Sequence, residues 1–422
     1  YELGMFYLEC NANIDEAIKY LSLAAKNNHM DAQMALGDFY FNPDGTRNIN
    51  LAIYYYTLAA NQNNSIAQFY LGCLYLESKY KYSDIPRAIY YLTRSANQNN
   101  KYAQYNLGNI YLKGIYVEKN VDLALYYLML AAENNLPDAL HDLGTIFMEA
   151  KEVPQDISKS IYYLEKSAKC NDSNAQCLLG IIYSDRKYKN YDINKAIYYY
   201  KLAIKNNDLN AKNNLAMIYY TGNGVPKDEP LAYYYWSQAA EQNDKESLNN
   251  IALYHHNKNN TNDEIKYLEL ASKNNHSISQ NNLGMIYCEG KIVKRDINKG
   301  ISYLLASASQ NNVYALNNLG SIYSNGVLVP RNINKAIDYL RRAADKGFSV
   351  AQFNLANIYY FGKYVPFDII KAINYYQLSS EQHYNDSTFN LAMIYYEGKY
   401  VKRNITQAIH YLTLAADQND PK

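Results

Sequence analysis

The residues best equipped for acid–base or metal chemistry near neutral pH are seven histidines: His29, His141, His255, His256, His276, His383 and His410. Only His255 and His256 are neighbours, and adjacent side chains on a helix diverge by about 100°, which is poor metal geometry. An exposed turn is the expected setting for that pair. The chain holds no Cys-x-x-Cys, His-Glu-x-x-His or Gly-x-Ser-x-Gly, and no Gly-x-x-x-x-Gly-Lys-Ser/Thr phosphate loop. Gly222 and Gly224 lack the third glycine of a dinucleotide turn and follow a helical pattern rather than a strand. Acidic residues scatter over solvent-facing positions without a recurrent pair. The sequence therefore predicts no catalytic residue, no metal and no cofactor.

Amide chemistry is where the spacing is ordered. A Leu or Ile followed by Gly or Ala recurs eleven times, from Leu36-Gly37 to Leu391-Ala392, almost always at a step of 36 residues. The position just before the Leu or Ile is Asn in seven of the eleven copies: Asn106, Asn214, Asn250, Asn282, Asn318, Asn354 and Asn390. With 54 asparagines in 422 residues, chance supplies one or two. An amide offers one acceptor and two donors, so one per repeat could pair with both polar groups of an extended backbone. One position earlier stand Phe69, Tyr105, Phe353 and Phe389, suited to apolar pockets. Two roles are open to this column: holding a peptide, or bonding the neighbouring helix to stabilise stacking.

The elements that must position these residues are two helices per copy. In the first, a small residue lies four before the Leu, an Ile is often three after it and a Tyr usually four after, as in Ala103, Leu107, Ile110 and Tyr111. Those offsets fall on one helical face, which is the buried one. Six copies then carry Gly with Val three residues on, from Gly114/Val117 to Gly398/Val401, where Gly supplies a left-handed helix end. Copies around Phe41–Thr46, Lys79–Ser83, Ala150–Val153 and Asp185–Tyr188 lack a glycine at that offset. Asp or Asn opens the second helix, as in Asp192-Ile193-Asn194, and Asn pairs such as Asn99-Asn100 and Asn311-Asn312 close it. The pairs Tyr54-Tyr55, Tyr90-Tyr91, Tyr126-Tyr127, Tyr162-Tyr163 and Tyr198-Tyr199 keep a fixed offset from the helix Ala, so they are read as core, one ring inward and the other along the inter-repeat groove. A truncated Leu3-Gly4 makes twelve copies. One hairpin cannot bury its face alone, so stacking completes the core.

The pattern Ala-x-x-x-Leu-Gly-x-x-Tyr, Gly-x-x-Val, Asp-x-x-Lys-Ala-x-x-Tyr-x-x-Ala-Ala resembles the Sel-one-like repeat, a relative of the tetratricopeptide repeat. Residues 103–132 match it closely, and the resemblance covers essentially the whole chain. It implies an all-α, right-handed α-α superhelical solenoid of about twelve repeats of roughly 36 residues. It also implies adaptor proteins, among them subunits of endoplasmic-reticulum degradation complexes, bacterial signalling and virulence factors, and activators of membrane enzymes. By the same analogy, first helices line a concave surface, and some tetratricopeptide proteins use Asn ladders at the matching place. The copy from Ile251 departs from the pattern: it is four residues short and has Glu264 where the helix normally places Ala. A change of stacking is expected near 253–264.

Bulk numbers agree. Formal charge is +1, with 41 basic and 40 acidic residues spread along the chain, which argues against nucleic acid as a partner. No window approaches 18 uninterrupted apolar residues, so no membrane span is expected. Five cysteines read as reduced thiols, which lean cytoplasmic, with a Cys170–Cys177 bridge left open. The chain starts at Tyr1 inside a first helix, and it is expected to be a piece of something longer, with any targeting signal outside it. The expected function is a non-enzymatic scaffold that binds a protein or peptide segment on the surface lined by first helices, in an unknown oligomeric state. The alternatives are a permanent structural subunit of a larger complex and, last, a regulatory repeat region attached to an enzyme domain.

Overall fold

The computed structural model describes residues 1–10, 13–41, 48–77 and 83–418. Among them are 24 α-helices and no strand, paired into the expected all-α solenoid of two-helix repeats. The chain divides into two compact units, Tyr1–Ala211 and Lys212–Lys422.

Residues 101–136 show why the hairpin forms. Asn100 caps the first helix, Lys101–Lys113, its side-chain oxygen accepting from the N–H groups of Tyr102 and Ala103 at 3.1 Å. Gly114 ends that helix at φ +63°, left-handed backbone that a side chain would strain. The linker closes when Asn120 N–H donates to Tyr111 O at 3.0 Å, and the Asn120 side chain caps the second helix, Val121–Glu133. Asn135, at φ +52°, turns the chain into the next repeat. The same devices recur in the second unit, at Asn312, Gly326, Asn332 and Gly347. At 150, where the turn glycine is missing, Ala150 adopts φ +57° itself, whereas Asp185 leaves its helix extended. The turns of Phe41–Thr46 and Lys79–Ser83, which lack a glycine at that offset, lie at 42–46 and 79–82 outside the described residues.

Packing inside a hairpin depends on the Leu-Gly step. A Cβ on Gly108 would stand 2.7 Å from Cγ of Leu128, and one on Gly144 2.5 Å from Cγ of Leu164. In the second unit, Gly284 and Gly320 meet Leu304 and Leu340 at 2.6 and 2.5 Å. Each of these leucines is buried. One tyrosine of each pair belongs to this packing: Tyr91 stacks on Tyr75, Tyr127 on Tyr111 and Tyr199 on Tyr183, with centroids 5.8–6.1 Å apart. The other corrects the reading of the pair as core. Tyr54, Tyr90, Tyr126, Tyr162 and Tyr198 are 53–58% exposed and lean edge-on against their neighbours, with Arg94 over Tyr90 and Lys166 over Tyr162. All five cysteines are free thiols, with Cys170 exposed and Cys177 buried.

Between hairpins runs a device that periodicity did not reveal. Gln104, three residues before the core Leu, is fully buried, and its Nε2 donates to Ala96 O at the end of the preceding second helix. Its Oε1 accepts from Asn134 Nδ2, 30 residues on, at 3.1 Å. Gln33 with Gln62, Gln68 with Gln98 and Gln176 with Asn206 repeat the clasp in the first unit. Gln280 with Gln310 and Gln352 with Gln382 repeat it in the second. A buried amide is costly unless both ends are bonded, and here both are.

The short copy remains a hairpin, but its helices Lys245–Asn257 and Thr261–Lys273 are joined by three residues, 258–260, where seven, 290–296, join the next pair.

These contacts fix two expectations, readable in chemical denaturation. Gly144→Ala, which overpacks the Leu164 contact, lowers stability by about 1–3 kcal/mol. Ala150→Gly, which relieves a left-handed alanine, raises it by about 1 kcal/mol. A neutral result for either would disprove the packing or the strain assigned to that residue.

Candidate functional site

The asparagine column lies on the first helices, and most of its amides meet the preceding repeat. In the second unit Asn250 Nδ2 donates to Asn213 Oδ1 at 2.7 Å, Asn318 to Asn281 at 3.0 Å and Asn354 to Asn317 at 2.9 Å. Each acceptor is 37 residues back, so the bond runs from the position before one core Leu or Ile to two positions before the previous one. The column is thus a stitch between neighbouring first helices, and its acceptor half is a second asparagine that the sequence analysis passed over. The doublets Asn213-Asn214, Asn281-Asn282 and Asn317-Asn318 were the available signal. Asn282 is different: it is exposed, and its oxygen accepts from Asn281 at 3.3 Å. Asn214 is half-buried. Asn390 is half-buried beside the Tyr376 hydroxyl, which donates to Asn357 Oδ1 at 2.6 Å. Burial raises the Tyr376 pKa, so it stays a phenol and a donor.

The first unit uses the same positions with other chemistry. Asn106 Nδ2 donates to Cys73 Sγ at 3.4 Å, and burial pushes that thiol up to about 11. Tyr105 OH donates to Asp142 Oδ2 at 2.9 Å, again 37 residues away, and burial with the adjacent carboxylate pushes the phenol up to about 12. Tyr105 is therefore engaged in stacking rather than open as a pocket wall. Phe69 is half-buried against Tyr70 and Tyr102 and lines a cavity of about 720 Å³ with Ile66 and Lys101. Phe353 is likewise half-buried, against Tyr376 and Tyr384, while Phe389 is 51% exposed.

Two cavities open between successive first helices of the second unit, at equivalent places two repeats apart. One, of about 490 Å³, lies between Lys245–Asn257 and Ser277–Glu289 and includes Asn282, Leu253, Ile278 and Met285. The other, of about 390 Å³, lies between Val313–Asn325 and Ser349–Phe361 and includes Asn354, Ser324, Ile358 and Phe361. Phe361 is 71% exposed at its rim. Each cavity combines apolar wall with one member of the asparagine column, the usual make-up of a side-chain pocket. Among the described residues no group of three or more His, Cys, Asp or Glu is placed to hold a metal ion, and no helix is long and apolar enough to cross a membrane. His255 stacks on Tyr267 at 5.5 Å, and His256 Nδ1 lies 3.0 Å from Glu264 Oε1.

The Sel1 repeat model matches residues 1–29 and 31–64, every following 36-residue copy through 209–244, and 277–420 in four more copies. This chain belongs to the Sel1 repeat family. Residues 245–276, the short copy, are the stretch that the model passes over. Among solved structures the chain is similar to c5321, a protective antigen of uropathogenic Escherichia coli with the same fold, at 26% identity and TM-score 0.59. That match covers 95% of this chain and 88% of the antigen. It is similar also to a Sel1 repeat protein from Oxalobacter formigenes, at 28% identity and TM-score 0.58, covering 72% of this chain and 90% of that one. No curated protein matches the chain in sequence. Sel1 solenoids generally mediate protein–protein interactions and are generally non-catalytic scaffolds.

One stitch carries a pH prediction. His141 Nδ1 lies 3.0 Å from Asp172 Oδ2, which also accepts from Ser167 Oγ at 2.7 Å. Burial opposes the Asp172 charge, yet the bonds from His141, Ser167 and the Ala175 backbone outweigh it and bring its pKa down to about 2. The His141 pKa is raised, first by its bond to Asp172, against the opposing effect of burial. Stability from a raised histidine is fully present below its ordinary value near 6.5 and is lost as pH rises through the folded value. Between pH 5.5 and 8 the melting temperature should fall more in the unmodified chain than in His141→Gln. Equal falls would show that the pair adds nothing.

Proposed function

We propose that this chain is a non-enzymatic scaffold whose second unit holds an extended segment of a partner protein along its first helices. The observation that carries the reading is the repetition of one cavity type two repeats apart, each joining apolar wall to an amide of the asparagine column. Interaxial spacings of about 8–10 Å put the two cavities roughly 16–20 Å apart, the span of about five or six residues of extended chain. The stitched amides each commit one N–H to the neighbouring repeat. Their second N–H is available to a backbone carbonyl, with one contact per repeat and little demand on sequence. The cavities then take side chains and confer selectivity. The balanced charge of the chain, with 41 basic and 40 acidic residues, supports a protein partner over nucleic acid.

The exposed tyrosine column of the first unit favours a second reading, in which that face is covered permanently within a larger assembly. Large exposed aromatic surface is characteristic of an interface. The two readings differ in lifetime: a scaffold releases its client on dilution, a permanent subunit does not.

Asn282 and Phe361 are the cleanest probes, because both are exposed and neither donates a stitch. Affinity capture from native lysate with the double variant Asn282→Ala/Phe361→Ala should lose a specific partner by about tenfold or more, at unchanged melting temperature. Asn318→Ala/Asn354→Ala should lower the melting temperature as well, since it breaks two stitches worth about 1 kcal/mol each. A partner retained at full strength by the Asn282/Phe361 variant would remove binding from this face.

A further inference from the structure

The short copy breaks the repeat at one buried position. In the other eleven copies, from Ala17 to Ala408, the residue facing the first helix near the start of the second is alanine, serine or glycine, and it is buried. Here it is Glu264, whose side chain is only 9% exposed. A buried carboxylate is costly unless it is paired. Its one side-chain partner among the described residues is His256, 59% exposed, whose Nδ1 meets Oε1 at 3.0 Å across the three-residue linker. Oε2 makes no hydrogen bond or ion pair among the described residues. Glu264 lines the 490 Å³ cavity beside Asn249, His256 and Asn282, no lysine or arginine lines that cavity, and the rest of its wall is apolar, including Leu253, Leu268, Ile278, Met285, Ile286 and Ile292. The equivalent cavity two repeats on has the opposite character, with Lys363 in its lining and no acid.

We propose that the cavity between Lys245–Asn257 and Ser277–Glu289 takes a lysine or arginine side chain of the partner segment, its alkyl stem on the apolar wall and its head group on Oε2 of Glu264. The proposal rests on the scaffold reading above and adds what that reading lacks, a charge requirement at a defined register. Charge complementarity identifies the occupant. Long basic side chains are amphipathic, so a wall of isoleucine, leucine and methionine suits the stem while a single carboxylate suits the head. An all-apolar side chain would leave Oε2 unpaired against an apolar wall, and an acidic one would be repelled. The carboxylate sits in the first turn of the helix Thr261–Lys273, where backbone N–H groups favour negative charge before any partner arrives.

The test is selection of a phage-displayed random dodecapeptide library on the full chain and on Glu264→Gln. Peptides held by the unmodified chain and lost on Asn282→Ala should share one basic position. Replacing that residue by norleucine should weaken binding at least tenfold on the unmodified chain and leave binding to Glu264→Gln unchanged. Glu264→Ala, which restores the residue of the other copies, should behave like Glu264→Gln, and circular dichroism melts confirm that both fold. If neither variant folds, the norleucine exchange on the unmodified chain decides, and a loss below twofold overturns the proposal. Selected peptides without a shared basic position, or an equal norleucine loss on both chains, overturn it while the scaffold reading stands. Failure of the unmodified chain to select any peptide overturns both.

Discussion

A second helix in this chain lies so close to its first that a single methyl group would separate them. Where the first helix carries glycine after its core leucine, the leucine or tyrosine of the second helix rests on bare backbone, as Leu164 does on Gly144 and Tyr200 on Gly180. That closeness sets everything outside it. It brings the tyrosine four residues on into stacking range of the second helix, and it requires a small residue opposite, which is why Ser160 can reach Gly144 O at 2.7 Å. It also makes the hairpin thin, so each one depends on its neighbours for burial and the array is stabilised as a series of nearest-neighbour interfaces.

The interfaces between hairpins are more polar than the hairpins themselves. Buried glutamines such as Gln68 and Gln280 clasp the end of one second helix and the start of the next inter-repeat turn. Asparagines such as Asn318 stitch first helices together. Amides suit this task because each supplies both a donor and an acceptor, so a chain of them leaves little unsatisfied. They also fix register: a hairpin shifted by one turn would bury the same groups unpaired.

This division explains what could be read without coordinates. The leucine-glycine step, the capping asparagines and the turn glycines are local signals, complete within one copy, and the hairpins follow from them. The clasp is not local. Gln104 answers to Asn134, 30 residues on, and Asn354 to Asn317, 37 residues back, and no helical period of 3.6 connects them. A polar residue three before the core leucine looks like surface until its partner is placed beside it. Tyr126 was misread for the converse reason: its neighbour Tyr127 does pack, and a pair with a fixed offset gives no sign of which ring faces out. The asparagine column was legible as a non-random feature, whereas the division of each amide between stacking and recognition depends on distances.

The same amides bear on where recognition can reside. An amide that commits one N–H to the neighbouring repeat offers a partner only its other N–H, with little demand on sequence, so on the scaffold reading discrimination falls to the cavities and to positions where the repeat is broken. The short copy is such a place: its three-residue linker keeps the closure seen at Asn120, Asn260 N–H donating to His255 O at 2.9 Å, but its second helix carries a carboxylate in the slot of an alanine. Regular repeats gain stability from sameness, and a buried charge at one copy opposes that gain without improving packing. Local rules in folded proteins are most often broken where function requires it. An array of this kind can therefore divide its labour by position, with uniform copies holding the frame and an irregular one setting what the frame accepts.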